Sequence, residues 1–294
     1  MSKPLGHHET IVPREDLDFR LDERIPKYWF RGDAYKTRVF DAVQSGFPDG
    51  ERYFITSVRA FRDRIVDPAM QLDVRYFMRQ EGQHGLAHAR YNAMLEKQGM
   101  PMDAILRDGK DEFDRWTRDY SPEFNVAHTA ALEHFTATMA YAYFAKASVM
   151  EGADAHIKAL FAWHAIEEME HKSVAFDVMQ DVAQVGYRLR AAAMLYAIKN
   201  MIEYTYRYTD RLLAADGYSR WQRLGMHVKN FFWLHGPRKG IYGSLTGKLL
   251  AYFKPGFHPT HEPTIHNYRN WLETWERTGD PLAACEALCA AAHR

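Results

Sequence analysis

The chain contains two motifs of the same kind, Glu-x-x-His, at Glu81 to His84 and at Glu168 to His171. Residues three apart lie on the same face of a helix, so each motif would set a carboxylate beside an imidazole. Both groups are ligands that proteins use to bind divalent metal ions. Each motif therefore predicts a place where one metal ion could bind.

Each motif is preceded by a helical segment that carries one carboxylate on its inward stripe. Four helices that supply two lone Glu residues and two Glu-x-x-His pairs build a centre for two iron or manganese ions. The pattern predicts such a centre, with iron favoured and manganese and zinc as alternatives. Six residues are its predicted ligands: Glu51, Glu81, His84, Glu133, Glu168 and His171.

Charge explains why these residue types occur together on buried stripes. Two divalent cations would balance four carboxylates, and neutral imidazoles would complete the coordination without adding charge. Without metal ions the carboxylates would repel one another and take up protons with raised pKa values. We therefore expect metal binding to stabilise the fold.

Two further histidines lie on the same stripes. His88 follows His84 by four residues, and His164 precedes Glu168 by four. We predict a catalytic role for both, either as a further ligand or as a donor that holds a ligating carboxylate. The alternative is a core histidine bonded to the backbone or to water.

Other ionisable residues are predicted to play supporting or structural roles. Glu167 and Glu170 lie off the stripe, where they would face solvent or support the ligands. Asp177 would orient an imidazole only if its helix bends. Seven other histidines are interpreted as supporting, packing, structural or surface residues: His7, His8, His128, His134, His258, His261 and His266.

Four long helices would position the predicted ligands. Helix A begins within the segment SGFPDGE, with Pro48 in its first turn, and carries Glu51. Residues 100–120 are interpreted as charged and broken. Ser or Asp before Pro or an apolar run marks a helix start, and Gly marks a stop. These signals predict helix B from Asp67-Pro68 to Gly99, helix C from Ser121-Pro122 to about Met150, and helix D from about Asp154 to about Gln184.

Strand signals are scarce, so the predicted fold is all-α. Residues 1–30 are interpreted as an N-terminal arm without chemistry, and 31–294 as one helical domain. Within that domain, 31–185 form the bundle and 186–294 an aromatic-rich helical extension that ends in a short helix near Asn267 to Arg277. Segment 221–240 would pack in the core, lie on a membrane surface or cap an apolar substrate tunnel.

Composition excludes several function classes. The 38 basic and 38 acidic residues cancel in the 294-residue chain, which disfavours nucleic acid as a partner. The only cysteines are Cys285 and Cys289, and no signal segment or apolar run of membrane-spanning length occurs. We expect a cytoplasmic protein without a membrane span. Its oligomeric state is left open.

Several segments resemble the ferritin-like superfamily, and more narrowly the family of predicted metal-dependent hydrolases. They are FPDGERYFITSVR, RQEGQHGLAHARYN, TAALEHFTA, WHAIEEMEHKSVAFDV and YFKPGFHP, which span residues 47 to about 260. The resemblance implies a ferritin-like four-helix bundle with additional C-terminal helices. It also implies that Glu51 and Glu133 are terminal ligands, that Glu81 and Glu168 bridge the metals, and that both motif histidines are ligands.

The leading interpretation is an enzyme whose paired metal ions activate O2 or water to oxidise a small, apolar organic substrate, with an electron donor left open. The alternative is a hydrolase that uses a metal-bridging hydroxide. A third interpretation is a bundle that binds metal without catalysis. We expect the substrate pocket to be lined by helices B and C and covered by the aromatic C-terminal helices.

Overall fold

The fold is described by a computed structural model that covers residues 9–146 and 149–292. This part of the chain contains no β-strand beyond an isolated bridge between Phe30 and Ala153, which confirms the all-α prediction. The helices are α1 (Ala34–Ser45), α2 (Phe47–Arg59), α3 (Pro68–Lys97), α4 (Met102–Asp119), α5 (Pro122–Phe144), α6 (Ala155–His171), α7 (Val174–Asp177), α8 (Tyr187–Ala215), α9 (Arg220–Lys229), α10 (Phe231–His235), α11 (Thr246–Ala251), α12 (Tyr268–Thr278) and α13 (Pro281–Ala290).

The predicted helix starts are confirmed by their caps. Asp67 and Ser121 each accept a hydrogen bond from a backbone N–H in the first turn of α3 and α5, and a proline opens both helices. Asp154 caps α6 in the same way. These side chains satisfy backbone donors that have no partner within the helix, which is why they mark its beginning.

Two predicted helix ends are wrong. Helix C ends at Phe144 rather than near Met150, and helix D ends at His171, followed by α7 and a π-helical turn over Val178–Val182. The apolar pattern continues past both ends because the residues beyond them remain buried, as Met150 and α7 do. Both helix ends were therefore missed, because the residues beyond them stay buried and no Gly or Pro marks the position where the helix stops.

The prediction that residues 100–120 are broken is also wrong. They form α4, which buries Met102, Ile105, Gly109 and Trp116 and exposes most of its charged residues. Few positions of this helix face the core, so its apolar stripe is narrow and easily overlooked.

The N-terminal arm is packed against the helices over residues 9–30. Ile11, Phe19 and Trp29 are buried in the core, and Arg14 is buried with them. The interpretation of the arm as a segment without chemistry is therefore corrected below. Residues 1–8, which include His7 and His8, lie outside the described part of the chain.

Four helices surround the region of the predicted ligands. α2 packs against α3, α5 packs against α6, and contacts from α2 to α5 and from α3 to α6 complete the group. α8 covers α1 and α5, while α13 covers α6. α12 confirms the predicted short helix near Asn267 to Arg277, but it is not the last one, because α13 follows it. The domain limits and the specifically ferritin-like arrangement stay predictions.

None of the described helices has both the length and the apolar character needed to cross a lipid bilayer.

Candidate metal centre

The six predicted ligands lie in one buried cluster between α2, α3, α5 and α6. Each is at most 2% exposed. One set of four, Glu81, Glu133, Glu168 and His171, has a ligand atom from each residue within 4.8 Å of the others. Glu51 with Glu81 and His84 forms a second set that satisfies the same limit. The helices therefore bring together residues that are far apart in the sequence.

His171 points one ring nitrogen into this cluster. Its Nε2 lies 3.1 Å from Glu81 Oε1 and 3.3 Å from Glu133 Oε2, and its Nδ1 lies 2.8 Å from Gln80 Oε1. The amide nitrogen of Gln80 donates to Glu170, which leaves the Gln80 oxygen to accept from Nδ1. In the neutral ring, Nε2 therefore directs its lone pair at the carboxylates.

His84 is oriented in an equivalent way. Its Nε2 lies 3.1 Å from Glu167 Oε2, to which it donates. Its Nδ1 lies 3.7 Å from Glu81 Oε1 and 3.9 Å from Glu168 Oε1. A histidine that donates one N–H to a carboxylate and offers its other nitrogen to a shared site has the arrangement typical of a metal ligand.

Most ligand atoms in the cluster lack a well-directed hydrogen bond, although His171 Nε2 lies 3.1 Å from Glu81 Oε1 and 3.3 Å from Glu133 Oε2. A buried polar group without a partner costs about 1–3 kcal/mol, and more when it is charged. Eight such atoms converge here, which is the environment expected of a site for cations. They are both carboxylate oxygens of Glu51, Glu81 and Glu133, with His84 Nδ1 and His171 Nε2. Four carboxylates with imidazoles fit a pair of divalent ions.

Without metal ions, the cluster must share protons. Burial and then repulsion by neighbouring carboxylates raise the pKa values of Glu51 and Glu133 well above normal. Burial also raises the pKa of Glu81. Burial opposes the charged forms of Glu168 and His171, but their mutual attraction outweighs it, so the pKa of Glu168 is lowered and that of His171 is raised. Metal binding would release these protons.

Arg14 connects both ligand imidazoles through carboxylates. Its Nη1 donates to Glu167 Oε1 at 3.0 Å, and its Nη2 donates to Glu170 Oε1 at 2.7 Å. Glu167 holds His84, and Glu170 accepts from Gln80 at 2.8 Å, which in turn holds His171. Glu167 and Glu170 are therefore buried and hold the predicted ligands in place, and the solvent-facing alternative for them is wrong.

The roles of Arg14 and Gln80 were missed in the sequence. Arg14 lies in a non-periodic arm and reaches the cluster only through tertiary packing, so no local pattern could identify it. Gln80 directly precedes Glu81, which was a weak signal.

Burial raises the pKa of Glu167 to about 8, although Arg14 opposes this shift.

His164 and His88 form a hydrogen-bonded chain at the edge of the cluster. His164 Nε2 lies 3.0 Å from Glu168 Oε1 and 3.9 Å from Glu51 Oε1, while its Nδ1 lies 2.7 Å from His88 Nε2. His88 Nδ1 lies 3.3 Å from Gln44 Oε1. Burial and the charge of His164 lower the pKa of His88 well below normal, so His88 is neutral.

A backbone carbonyl fixes the direction of this chain. The Ser45 carbonyl can only accept, so it takes a hydrogen bond from Asn92 Nδ2 at 3.2 Å. Asn92 Oδ1 then accepts from Gln44 Nε2 at 2.9 Å, and Gln44 Oε1 accepts from His88. His88 Nε2 must therefore accept from His164 Nδ1. The Nε2 of His164 faces Glu51 and Glu168: it donates to the Glu168 carboxylate when it is protonated and carries a lone pair when the ring is neutral.

The other predicted supporting residues lie outside the cluster. His128 Nδ1 lies 3.2 Å from the Tyr53 hydroxyl, and His134 Nε2 lies 3.1 Å from the Lys248 carbonyl. The helix does break after His171, but Asp177 Oδ1 lies 2.8 Å from His258 Nε2. Both ligand imidazoles have other partners, so Asp177 orients neither of them.

A pocket of about 610 Å³, a volume that includes its opening to solvent, lies beside the cluster. The buried residues Glu51, His164 and Glu168 line it. The prediction that helices B and C line the pocket holds only for C. α5 contributes lining residues, as do α1, α2, α4, α6 and α8, whereas α3 does not. The walls are mainly apolar: Val43, Phe47, Phe54, Phe113, Trp116, Leu132 and Met201.

Comparison with known proteins identifies the family. No curated protein matches the chain, and no solved structure does. The family model for predicted metal-dependent hydrolases matches residues 13–263, which include the whole cluster and Arg14. This match covers most of the chain. The protein therefore belongs to the family of predicted metal-dependent hydrolases.

Proposed function

We propose that this protein is a metal-dependent hydrolase whose substrate is a small molecule with an apolar part. The single observation that carries the proposal is that Glu51, His164 and Glu168 line a pocket whose other walls are mainly apolar. Apolar walls with a few polar groups at one end are typical of a site that binds an apolar group and reacts at its polar terminus. An ester or an amide with a hydrocarbon part fits this arrangement.

The proposed ligands are the six residues of the cluster, which would hold two divalent ions: Glu51, Glu81, His84, Glu133, Glu168 and His171. When bound, such ions act as Lewis acids that polarise a carbonyl oxygen and lower the pKa of water. Iron, manganese and zinc all suit a carboxylate and imidazole donor set.

We assign proton transfer to His164. Its Nε2 faces the pocket beside Glu51 and Glu168, so in the metal-loaded site the neutral ring would accept the proton that the attacking water releases. His88 is a positioning residue, because its hydrogen bond to Nδ1 holds the His164 ring in this orientation. Thr136 would hold Glu168 in place, since its hydroxyl donates to Oε2 at 2.5 Å.

Oxidation is the second candidate function, and the donor set is the observation that favours it. Two lone Glu residues together with two Glu-x-x-His pairs are the ligand pattern of paired iron ions in carboxylate-rich helical bundles. Paired iron ions of this kind would react with O2. Such an oxidation would also require an electron donor. The family assignment favours hydrolysis instead. A metal that serves only to hold the helices together is disfavoured by the pocket that opens onto the cluster.

A parallel assay separates these functions. The protein would be loaded with iron, manganese or zinc and given nitrophenyl esters from acetyl to dodecanoyl, while O2 uptake is recorded on the iron form. We expect ester cleavage that improves with chain length and does not consume O2. Substrate-dependent O2 uptake without cleavage would replace hydrolysis by oxidation.

His164→Ala tests the assignment of the base. We expect unchanged metal content and a fall in kcat of about 10²–10⁴-fold, the usual contribution of a general base. His88→Ala should reduce kcat less, because it only loosens the His164 ring. Loss of a metal ion from His164→Ala would show that His164 is a ligand and would contradict its role as a base.

A further inference from the structure

An exposed apolar stripe runs along α9 and α10. Trp221, Leu224 and Val228 are separated by three and four residues, so they lie on one helical face. Phe231 and Phe232 continue the apolar sequence into α10. Trp221 and Phe232 are each 76% exposed and Val228 is 68% exposed. Exposed apolar clusters of this kind usually mark an interaction surface.

The opposite face of α9 is attached to the body of the protein. Arg223 Nε donates to Asp210 Oδ1 at 2.7 Å, and His227 Nδ1 lies 3.1 Å from the Tyr35 hydroxyl. Leu234 of α10 is buried. The stripe is therefore held facing outward, and none of its residues lines the pocket beside the metal cluster.

The surroundings of the stripe are strongly cationic. Residues 217–261 contain no Asp or Glu, although the chain as a whole is neutral. Five exposed basic residues in this segment form no ion pair with any residue that the structure describes: Arg220, Lys229, Arg238, Lys239 and Lys254. A partner of this surface should therefore be anionic as well as apolar.

We propose that α9 and α10 dock the protein on the surface of an anionic lipid bilayer. A short helix with Trp, Phe and Leu on one face and Lys or Arg beside them has the composition of a helix that lies in the membrane interface. The long basic side chains can reach headgroups while the apolar residues enter the acyl boundary. A second copy of this chain is a poorer partner, because it would set cations against cations.

Vesicle sedimentation tests the proposal with the full chain. We expect binding to vesicles of phosphatidylcholine mixed with phosphatidylglycerol, little binding to phosphatidylcholine alone, and release as salt is raised. Trp221 is exposed, whereas the other tryptophans are buried or half-buried, so its fluorescence should shift to shorter wavelength on binding. Trp221→Phe should keep most of the binding and lose that shift.

Variants locate the binding surface. Trp221→Ser with Phe232→Ser should abolish sedimentation. Because each cation near an anionic surface strengthens binding about fivefold, Lys229→Gln with Lys239→Gln should weaken binding roughly twentyfold. Leu195→Ser is the matched control, because Leu195 is a 61% exposed apolar residue on α8 and should not affect binding.

Three results would overturn the proposal. They are equal binding to neutral and anionic vesicles, unchanged binding of the Trp221 and Phe232 double variant, and a dimer in sedimentation equilibrium that this double variant abolishes. The last result would assign the stripe to contact between two copies of the chain.

Discussion

Replacing Arg14 by methionine would test whether the N-terminal arm holds the metal ligands. Arg14 is 6% exposed and forms ion pairs with Glu167 and Glu170. Methionine would retain much of the side-chain volume but leave both buried carboxylates without their cation. Breaking a buried ion pair by removing one partner typically costs about 3–5 kcal/mol of folding free energy. We expect a loss of that size in the metal-free protein.

The same substitution should weaken metal binding. Arg14 reaches His84 through Glu167, and His171 through Glu170 and Gln80. Loss of such a supporting contact typically lowers metal affinity about 10–100-fold. Competition with a chelator would measure the affinity, and urea unfolding would measure the stability.

Arg38→Met is the matched control. Arg38 is fully buried and forms ion pairs with Asp41 and Asp216, so its loss should also cost about 3–5 kcal/mol. Its hydrogen bonds go to Asp41 and Asp216, which lie outside the metal cluster, so its replacement should leave metal affinity unchanged. Equal metal affinity in Arg14→Met and the wild type, or equal weakening in both variants, would refute the role assigned to Arg14.

Three further predictions concern the cluster and its surroundings. A Cβ on Gly85 would lie 3.2 Å from Glu51 Oε2, so Gly85→Ala should lower metal affinity. Gly82 is on the same helix, but a Cβ there would meet nothing within 4 Å. Gly82→Ala should therefore only stabilise α3, by up to about 1 kcal/mol. Chelator competition and thermal unfolding would separate the two. Burial lowers the pKa of His128 in the folded protein to about 3. As pH falls below about 6.5, His128 therefore binds a proton in the unfolded chain but not in the folded one. The free energy of unfolding should fall by roughly 2 kcal/mol by pH 5. His128→Phe should abolish that part of the acid sensitivity in urea unfolding, and an unchanged pH slope would contradict it. Metal ions at a hundred times their Kd should stabilise the protein by about 2.7 kcal/mol, measured as a higher Tm, and no shift would contradict coupling of binding to folding.

The helix starts and the Glu-x-x-His pairs can be predicted from short stretches of sequence. Asp67, Ser121 and Asp154 satisfy donors within their own first turns, so helix starts follow from short stretches of sequence. Glu81 with His84 and Glu168 with His171 follow from helical periodicity alone. These local signals were sufficient to bring six buried residues into one predicted set.

The missed features depend on contacts between distant segments. Arg14 contacts Glu167 and Glu170, which follow it by more than 150 residues, and nothing in the arm's own sequence indicates that contact. The break after His171 was concealed because α7 remains buried. α4 was missed because most of its residues are charged and face solvent, and only four of its positions are buried.

The most direct test of the paired-metal claim is elemental analysis of the purified protein with site variants. The account predicts two metal ions per chain in the wild type, and loss of metal with a lower Tm in Glu81→Ala and in Glu168→Ala. Glu96→Ala, an exposed position on α3, is the control and should keep both ions. Metal content that is unchanged in both ligand variants would contradict the account.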